Sequence, residues 1–208
     1  MLAGHFGLAA VVKAREPQVP LWALMVSTQL LDIIFVVLYV AGIEKIVPVE
    51  GSNGGYGQLI GRNFDYTHSL VGALIISLVA MVVAAIPWGR RNGLIIGAMV
   101  FSHWVLDLLV HRPDLAILPG NAGDLPRIGL GLWAIPWLTM AMELVLILAG
   151  AYLYYHAAMR SAVKAERQEA KAGVATPGFR QQALIASVAM LVALVGTLVA
   201  DVLVPFQQ

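Results

Sequence analysis

The segment FSHWVLDLLVHRPD, residues 101–114, places three ionisable groups in one of the most apolar parts of the chain. His103, Asp107 and His111 are spaced four residues apart, with Trp, Val and Leu between them. In an α-helix, positions four apart are rotated by only about 40°, so the three side chains share one face. The apolar stretch begins near residue 92 and is long enough for a bilayer-spanning helix of roughly 20 residues. A helix of membrane-spanning length with ionisable residues on one face therefore indicates a membrane protein, and it indicates that this face contributes to the functional site.

The composition of the whole chain is that of a membrane protein. Hydrophobic residues make up 60% of the 208 residues and charged residues 12%, and the mean hydropathy is +0.81. A soluble domain usually has about 25% charged residues. The net charge of +1 gives no reason to expect nucleic acid as a partner. The absence of cysteine excludes disulfides and thiolate metal sites.

Six apolar segments predict an all-α, polytopic integral membrane helix bundle that forms a single domain over residues 1–208. We expect helices at residues 2–14, 19–43, 66–88, 92–110, 131–158 and 183–204, and a cytoplasmic linker at residues 159–182. Five segments reach the length of a full transmembrane helix, and the first is too short to span alone. Backbone groups in lipid must be satisfied within their own segment, which requires helices here.

The distribution of Lys and Arg between the connections predicts an orientation. The first, third and fifth connections carry nine of the 13 basic residues, and the second and fourth carry four. Because cytoplasmic loops are enriched in Lys and Arg, we expect both termini to be extracytoplasmic. The expected location is a bacterial-type inner (plasma) membrane.

This orientation places several ionisable residues at one depth, in the outer half of four helices. An ionisable group at the bilayer centre costs about 2.5–3.5 kcal/mol, and the two Asp residues are flanked by Leu, Ile and Val. Neutral imidazoles and carboxylates suit Zn²⁺, with Mn²⁺ and Fe²⁺ as alternatives. We therefore predict a divalent-metal site, in which Asp32 is a ligand or the catalytic general base. The residues are His5, Asp32, His68, His103 and Asp107.

Some residues also have simpler interpretations. A single intramembrane His is more often hydrogen-bonded to a neighbouring helix than bound to metal, and His111 is favoured as an interfacial residue at the start of the polar HRPD turn. Glu143 lies within the apolar segment TMAMELVLI. Three roles are open for this carboxylate: a hydrogen bond to a metal ligand, a proton relay, or a hydrogen bond that packs two helices together. Asp201 is expected to be a solvated helix end.

Four motifs resemble, in the same order, the signatures of the YdjM-like inner-membrane proteins. They are GHFGLA at the start, LLDII, THSLVGAL and FSHWVLDLLV, and they cover roughly the first half of the chain. That family is described as LexA-binding-related and as metal-dependent hydrolases. The resemblance implies roles at a metal site for His5, Asp32, His68, Ser69, Ser102, His103 and Asp107.

The chain departs from the family pattern at two of these motifs. Only Asp32 remains of an Asp-x-Asp-His pattern, and NFDY, residues 63–66, stands where the family has His-Arg-Gly. Asp65 either replaces a lost ligand or caps the helix expected to begin at residue 66. His111 can likewise compensate for a missing histidine.

Three functions remain open at this point. The favoured one is a metal-dependent hydrolase acting on an amphiphilic or lipid-like substrate. The alternatives are a proton- or cation-coupled transporter and a non-catalytic structural or partner-binding membrane protein. The inner halves of the helices are mostly Ala, Val, Leu and Ile, which counts against a polar path through the bundle. The expected partner is the lipid bilayer, and the sequence leaves the substrate and the oligomeric state open.

Overall fold

The computed structural model describes residues 1–45, 64–173 and 178–203, which form helices and no strand. The all-α prediction is therefore confirmed for these residues. Arg62, Asn63 and most of the Gly-rich second connection lie outside them. The helices are α1 Leu2–Arg15, α2 Leu21–Thr28, α3 Leu30–Val40, α4 Leu70–Val110, α5 Pro136–Lys171 and α6 Phe179–Leu203, with 3₁₀ turns at Pro119–Asn121 and Leu132–Ala134.

Three of the described helices are long and apolar enough to cross a membrane, namely Leu70–Val110, Pro136–Lys171 and Phe179–Val202. Helices α2 and α3 pass the same test as a pair, but they are bent by 53° at their junction. The count is therefore three, or four if the bent pair forms one span. The five full-length spans expected from the sequence are not established by these helix lengths.

A break at Gly89 divides α4 into two arms, residues 70–88 and 90–110. Gly89 has φ 81° and ψ 163°, a conformation that glycine adopts readily and other residues do not. The two arms pack against each other on either side of the break. Their backbones are so close that a Cβ added to Gly93 would lie 2.5 Å from the carbonyl oxygen of Met81. The break thus matches the boundary expected between two separate apolar segments.

Two helix boundaries differ from the sequence prediction. The first arm begins at Leu70 rather than at residue 66, because the hydroxyl of Ser69 caps it by accepting the Gly72 N–H at 3.1 Å. Helix α5 begins at Pro136 rather than at residue 131, and proline suits a first helical turn because it needs no N–H partner there. Helix α5 continues to Lys171, in agreement with the helical extension that the Ala, Glu, Lys and Arg residues of the expected linker favour.

Helix α1 packs lengthwise against α5 through small residues. A Cβ added to Gly7 would lie 2.7 Å from the carbonyl carbon of Leu146, and one added to Gly150 would lie 2.5 Å from the Gly7 carbonyl oxygen. Close backbone approach at small residues is typical of helix packing in lipid. Helix α6 completes this core, which contains Ala3, Ala10, Ile147, Met190 and Leu194.

The two ends of α1 make different polar contacts. Where α1 ends and the second arm of α4 begins, Arg91 donates to both carboxylate oxygens of Glu16 at 2.9 and 3.0 Å. At the start of α1, the Ala3 N–H donates to Asp201 at 3.1 Å. Asp201, expected from the sequence to be a solvated helix end, is partly exposed near the end of α6 and also bonded to α1.

The segment between α4 and α5 folds over the ends of the two α4 arms. Leu115 and Ile128 pair their backbones in an isolated antiparallel bridge. The first free N–H of α4, that of Leu70, donates to the Ala116 carbonyl at 3.0 Å. Because Leu115 and Ala116 are buried, this segment packs on one end of the bundle. We call residues 111–135 the cap segment.

Candidate metal centre

Five ionisable side chains from four separate elements meet in the bundle near the cap segment. They come from α1, α3, the turn before α4 and the second arm of α4. Four are buried, whereas the side chain of Asp32 is 50% exposed. The structure thus brings together all five residues that the sequence predicted as metal ligands. We call them the His/Asp cluster: His5, Asp32, His68, His103 and Asp107.

Asp107 lies at the centre of the His/Asp cluster. Its Oδ1 is 3.3 Å from His5 Nε2, and its Oδ2 is 3.0 Å from His103 Nε2 and 3.7 Å from His68 Nε2. Asp32 approaches from α3, with Oδ1 3.2 Å from His68 Nε2 and 3.7 Å from His103 Nε2. Three imidazoles therefore face two carboxylates at short range.

These separations suit a divalent ion. In two overlapping groups the ligand atoms all lie within 4.8 Å of one another. Ligands held about 2.1 Å from a tetrahedral Zn²⁺ are about 3.4 Å apart, and the contacts of His68 and His103 with the two carboxylates span 3.0–3.7 Å. A buried His/Asp group that can hold a metal ion is therefore present. The groups are His5, His103 and Asp107, and Asp32, His68 and His103.

The hydrogen bond behind His103 fixes which ring nitrogen faces the carboxylates. His103 Nδ1 lies 2.6 Å from the Thr28 carbonyl oxygen, so the neutral ring carries its proton on Nδ1. Thr28 ends α2, and the last carbonyls of a helix lack intrahelical donors. His103 Nε2 then presents a lone pair to two carboxylates, and it is buried without a hydrogen bond among the described residues. Either a bound cation or a proton on His103 Nε2, which lies 3.0 Å from Asp107 Oδ2, removes the repulsion.

His68 has a comparable arrangement that the sequence analysis missed. Its Nδ1 lies 2.9 Å from the Thr67 hydroxyl, which in turn lies 2.9 Å from Glu44 Oε2. Metal-binding histidines almost always use their second ring nitrogen in this way. The only sequence signal was the hydroxyl residue directly before His68, because Glu44 is distant along the chain.

His111 is buried at the rim of the cluster, at the end of α4 where the polar HRPD turn begins. Its Nε2 lies 3.8 Å from Asp107 Oδ2, and its Nδ1 lies 3.1 Å from Asp114 Oδ1. The ring of Trp133 packs against it, with the ring centroids 4.2 Å apart. The cap segment covers His111, which is why a residue at a helix end avoids water here.

Asp65 takes neither of the two roles considered from the sequence. Arg127 donates to both of its carboxylate oxygens, with Nη2 2.8 Å from Oδ2. Arg127 also donates to the Asp114 carbonyl at 2.9 Å. The bond to Asp65 raises the pKa of Arg127 above its ordinary value. Asp65 therefore holds the cap segment to the turn before α4.

The other residues predicted beside the site make local or packing contacts. Ser69 donates to the Tyr66 carbonyl at 3.0 Å, and Ser102 donates to the Met99 carbonyl at 2.7 Å. Glu143 is buried where α1 meets α5, and its Oε1 lies 3.8 Å from the Met1 amino nitrogen. The hydrogen bonds of the two serines thus stay within their own turns.

Comparison with known proteins gives no match to a family model, a curated protein or a solved structure. The resemblance to the YdjM-like family therefore stays a prediction.

Proposed function

We propose that this protein is an integral membrane metal-dependent hydrolase that acts on an amphiphilic or lipid-like substrate. The proposal rests on one observation, the meeting of three imidazole Nε2 atoms with two carboxylates at 3.0–3.7 Å. Each ionisable group buried in lipid costs about 2.5–3.5 kcal/mol. Interhelical hydrogen bonds return only about 0.6 kcal/mol on average. A bound divalent ion therefore explains the cluster better than helix packing alone.

The donor set points to zinc first, with manganese and iron as alternatives, because neutral imidazoles and carboxylates suit these ions. When bound, a divalent ion polarises a phosphoryl or carbonyl oxygen and lowers the pKa of a coordinated water to about 7. The ion would be held by His5, His68, His103 and Asp107. Asp32 is the one cluster member with an exposed side chain, so its carboxylate either adds a ligand or takes a proton from the attacking water.

The exposure of Asp32 favours a substrate that arrives from the bilayer. Ile33 and Val36 lie beside Asp32 on α3, and both are exposed apolar side chains. On the side of the cap segment, the cluster is covered by buried His111 and its neighbour Trp133. A molecule that reaches Asp32 therefore passes apolar surface, which an acyl chain suits better than a fully water-soluble substrate does.

We further propose five membrane crossings in a bacterial-type inner membrane, with both termini extracytoplasmic. The crossings are the bent α2–α3 pair, the two arms of α4, α5 and α6. Helix α1 is about 21 Å long, shorter than a full span, and it carries the chain through the bundle from the extracytoplasmic N-terminus to the cytoplasmic first connection. Arg15, Arg90 and Arg91 lie at the end of α1 and α4 opposite His5 and Asp107. The positive-inside rule then puts the cluster in the outer half of the membrane.

A proton- or cation-coupled transporter is less well supported. Such a protein needs polar groups on both sides of its binding site. Between the His/Asp cluster and the basic end of the bundle lies an apolar core formed by α1, α2 and both arms of α4. Its residues are Ala9, Val19, Ala23, Leu24, Ala84, Ile96 and Met99.

The hydrolase proposal is tested with protein in lipid nanodiscs, loaded in turn with Zn²⁺, Mn²⁺ or Fe²⁺. Phosphoester and carboxylic ester substrates are offered with two acyl chains, and the same head groups without chains serve as the control. We expect ion-dependent hydrolysis of a chain-bearing substrate that is lost in Asp107→Asn. Hydrolysis of neither form, or equal hydrolysis by Asp107→Asn, would contradict the proposal, and ion flux in liposomes would favour the transporter.

A further inference from the structure

A buried carboxylate lies behind His68, on the side away from the His/Asp cluster. Glu44 is 0% exposed although it lies just beyond the end of α3. Its Oε1 accepts the backbone N–H groups of Tyr66 and Thr67 at 2.8 and 2.9 Å. Its Oε2 lies 2.9 Å from the Thr67 hydroxyl. Glu44 is thereby fixed against the turn that carries His68.

The direction of the hydrogen bonds follows from the chemistry of the three groups. An ionised carboxylate only accepts, and a hydroxyl has a single proton. The Thr67 hydroxyl therefore donates to Glu44, and its oxygen accepts from His68 Nδ1 at 2.9 Å. His68 Nε2 then carries no proton, and it points at Asp32 and Asp107 from 3.2 and 3.7 Å. That tautomer and that orientation are what a metal ligand needs.

We infer that Glu44 and Thr67 are positioning residues that fix the tautomer and the ring orientation of His68 as a metal ligand. The inference rests on the proposed metal site and adds roles for Glu44, which lies outside the sequence motifs, and for Thr67, to which the motif THSLVGAL assigned none. His103 is oriented in a similar way by the Thr28 carbonyl, but a backbone group cannot be removed by substitution. Thr67 offers the testable case, because Thr67→Val removes the hydroxyl and leaves the backbone bond to Glu44 in place.

A purely architectural role for Glu44 predicts a different set of results. In that case Thr67→Val lowers the melting temperature of the metal-free protein and leaves its affinity for an ion unchanged. Glu44→Gln separates the two roles further. The Gln amide accepts the backbone N–H groups as before, but its NH2 group donates to the Thr67 oxygen in competition with His68 Nδ1. The Thr67 hydroxyl then keeps only the Oε1 acceptor at 3.2 Å, and its hold on the tautomer of His68 is weaker.

The test measures Zn²⁺ affinity of the purified full chain by competition with a chromophoric chelator at neutral pH, with the metal-free melting temperature as a check on folding. We expect Thr67→Val and Glu44→Gln to weaken binding by about 10–100-fold, as outer partners of metal-bound histidines do. Thr67→Ser keeps the hydroxyl and should bind like wild type. Adding Thr67→Val to His68→Ala should cause no further loss, because the two residues act through one ligand.

The outcomes separate this inference from the proposed metal site. Unchanged affinity in both Thr67→Val and Glu44→Gln, with binding by wild type and loss in His68→Ala, overturns the role of Glu44 and Thr67 alone. Additive losses in the Thr67→Val, His68→Ala double variant do the same. Absence of Zn²⁺ binding by the folded wild type overturns the metal site and this inference together.

Discussion

The imidazole rings of His5 and His103 lie parallel, with their centroids 4.1 Å apart and 1° between their planes. His5 comes from α1, and His103 comes from the second arm of α4. Both rings present Nε2 to Asp107, at 3.3 and 3.0 Å. The position of α1, a helix too short to span a bilayer, therefore determines whether His5 reaches the cluster.

The packing of α1 against α5 should control both stability and metal binding. In Gly7→Ala the new Cβ would lie 2.7 Å from the carbonyl carbon of Leu146, so α1 must shift and carry His5 with it. We expect a loss of about 1–3 kcal/mol, typical of overpacking, together with weaker Zn²⁺ binding. Thermal unfolding and chelator competition in detergent measure the two effects.

Gly196→Ala is the matched control for this prediction. Gly196 lies in α6, and a Cβ there meets no atom within 4 Å. Because alanine is favoured over glycine in helices by about 1 kcal/mol, we expect a melting temperature equal to or above that of wild type and unchanged metal affinity. Similar effects of Gly7→Ala and Gly196→Ala would argue against the close α1–α5 contact.

The pair of Arg127 and Asp65 should hold the cap segment in place. Arg127→Ala leaves the largely buried carboxylate of Asp65 without its bidentate partner. Breaking such a pair lowers the free energy of unfolding by about 3 kcal/mol. Arg91→Ala is the control, because Arg91 is 73% exposed beside Glu16 and exposed pairs contribute at most about 1 kcal/mol. Equal stability of the two variants in thermal unfolding would speak against a structural role for Arg127.

The location of the cluster residues was predictable because several independent constraints act on them. The four-residue spacing in residues 101–114 predicts that His103, Asp107 and His111 share one helix face. The distribution of Lys and Arg predicts that the cluster residues lie at one depth in the membrane. The free-energy cost of burying Asp32 and Asp107 predicts that both carboxylates have polar partners. The motif resemblance named the same residues. By contrast, nothing local in the sequence connects Glu44 with Thr67 and His68, since their hydrogen bonds join the end of α3 to the turn before α4.

Helix boundaries were harder to predict than helix locations. The sequence prediction began this helix at Tyr66, but the hydrogen bond from the Gly72 N–H to the Ser69 hydroxyl fixes the start at Leu70. The role of Asp65 could not be predicted, because its partner Arg127 lies in a connection without regular periodicity. His111 was interpreted as an interfacial residue because it begins the polar HRPD turn, and no local pattern in the sequence predicts its contact with Trp133.

Cysteine labelling should test the proposed orientation, since the chain has no cysteine of its own. Ala122 in the cap segment and Gln168 near the end of α5 are both exposed. We expect Ala122→Cys to react with a membrane-impermeant maleimide on intact cells, and Gln168→Cys to react only after permeabilisation. The reverse pattern would place the His/Asp cluster on the cytoplasmic side.

The central claim is that the His/Asp cluster holds a divalent metal ion, and metal content tests it most directly. His156 gives a matched control, because its ring packs on Tyr152 and Tyr155 and it belongs to neither group of candidate ligands. Elemental analysis by mass spectrometry of detergent-purified protein should find about one Zn, Mn or Fe ion per chain in wild type and in His156→Ala, and little in His103→Ala. A folded wild-type protein without a stoichiometric ion, or a full complement of metal in His103→Ala, would contradict the account.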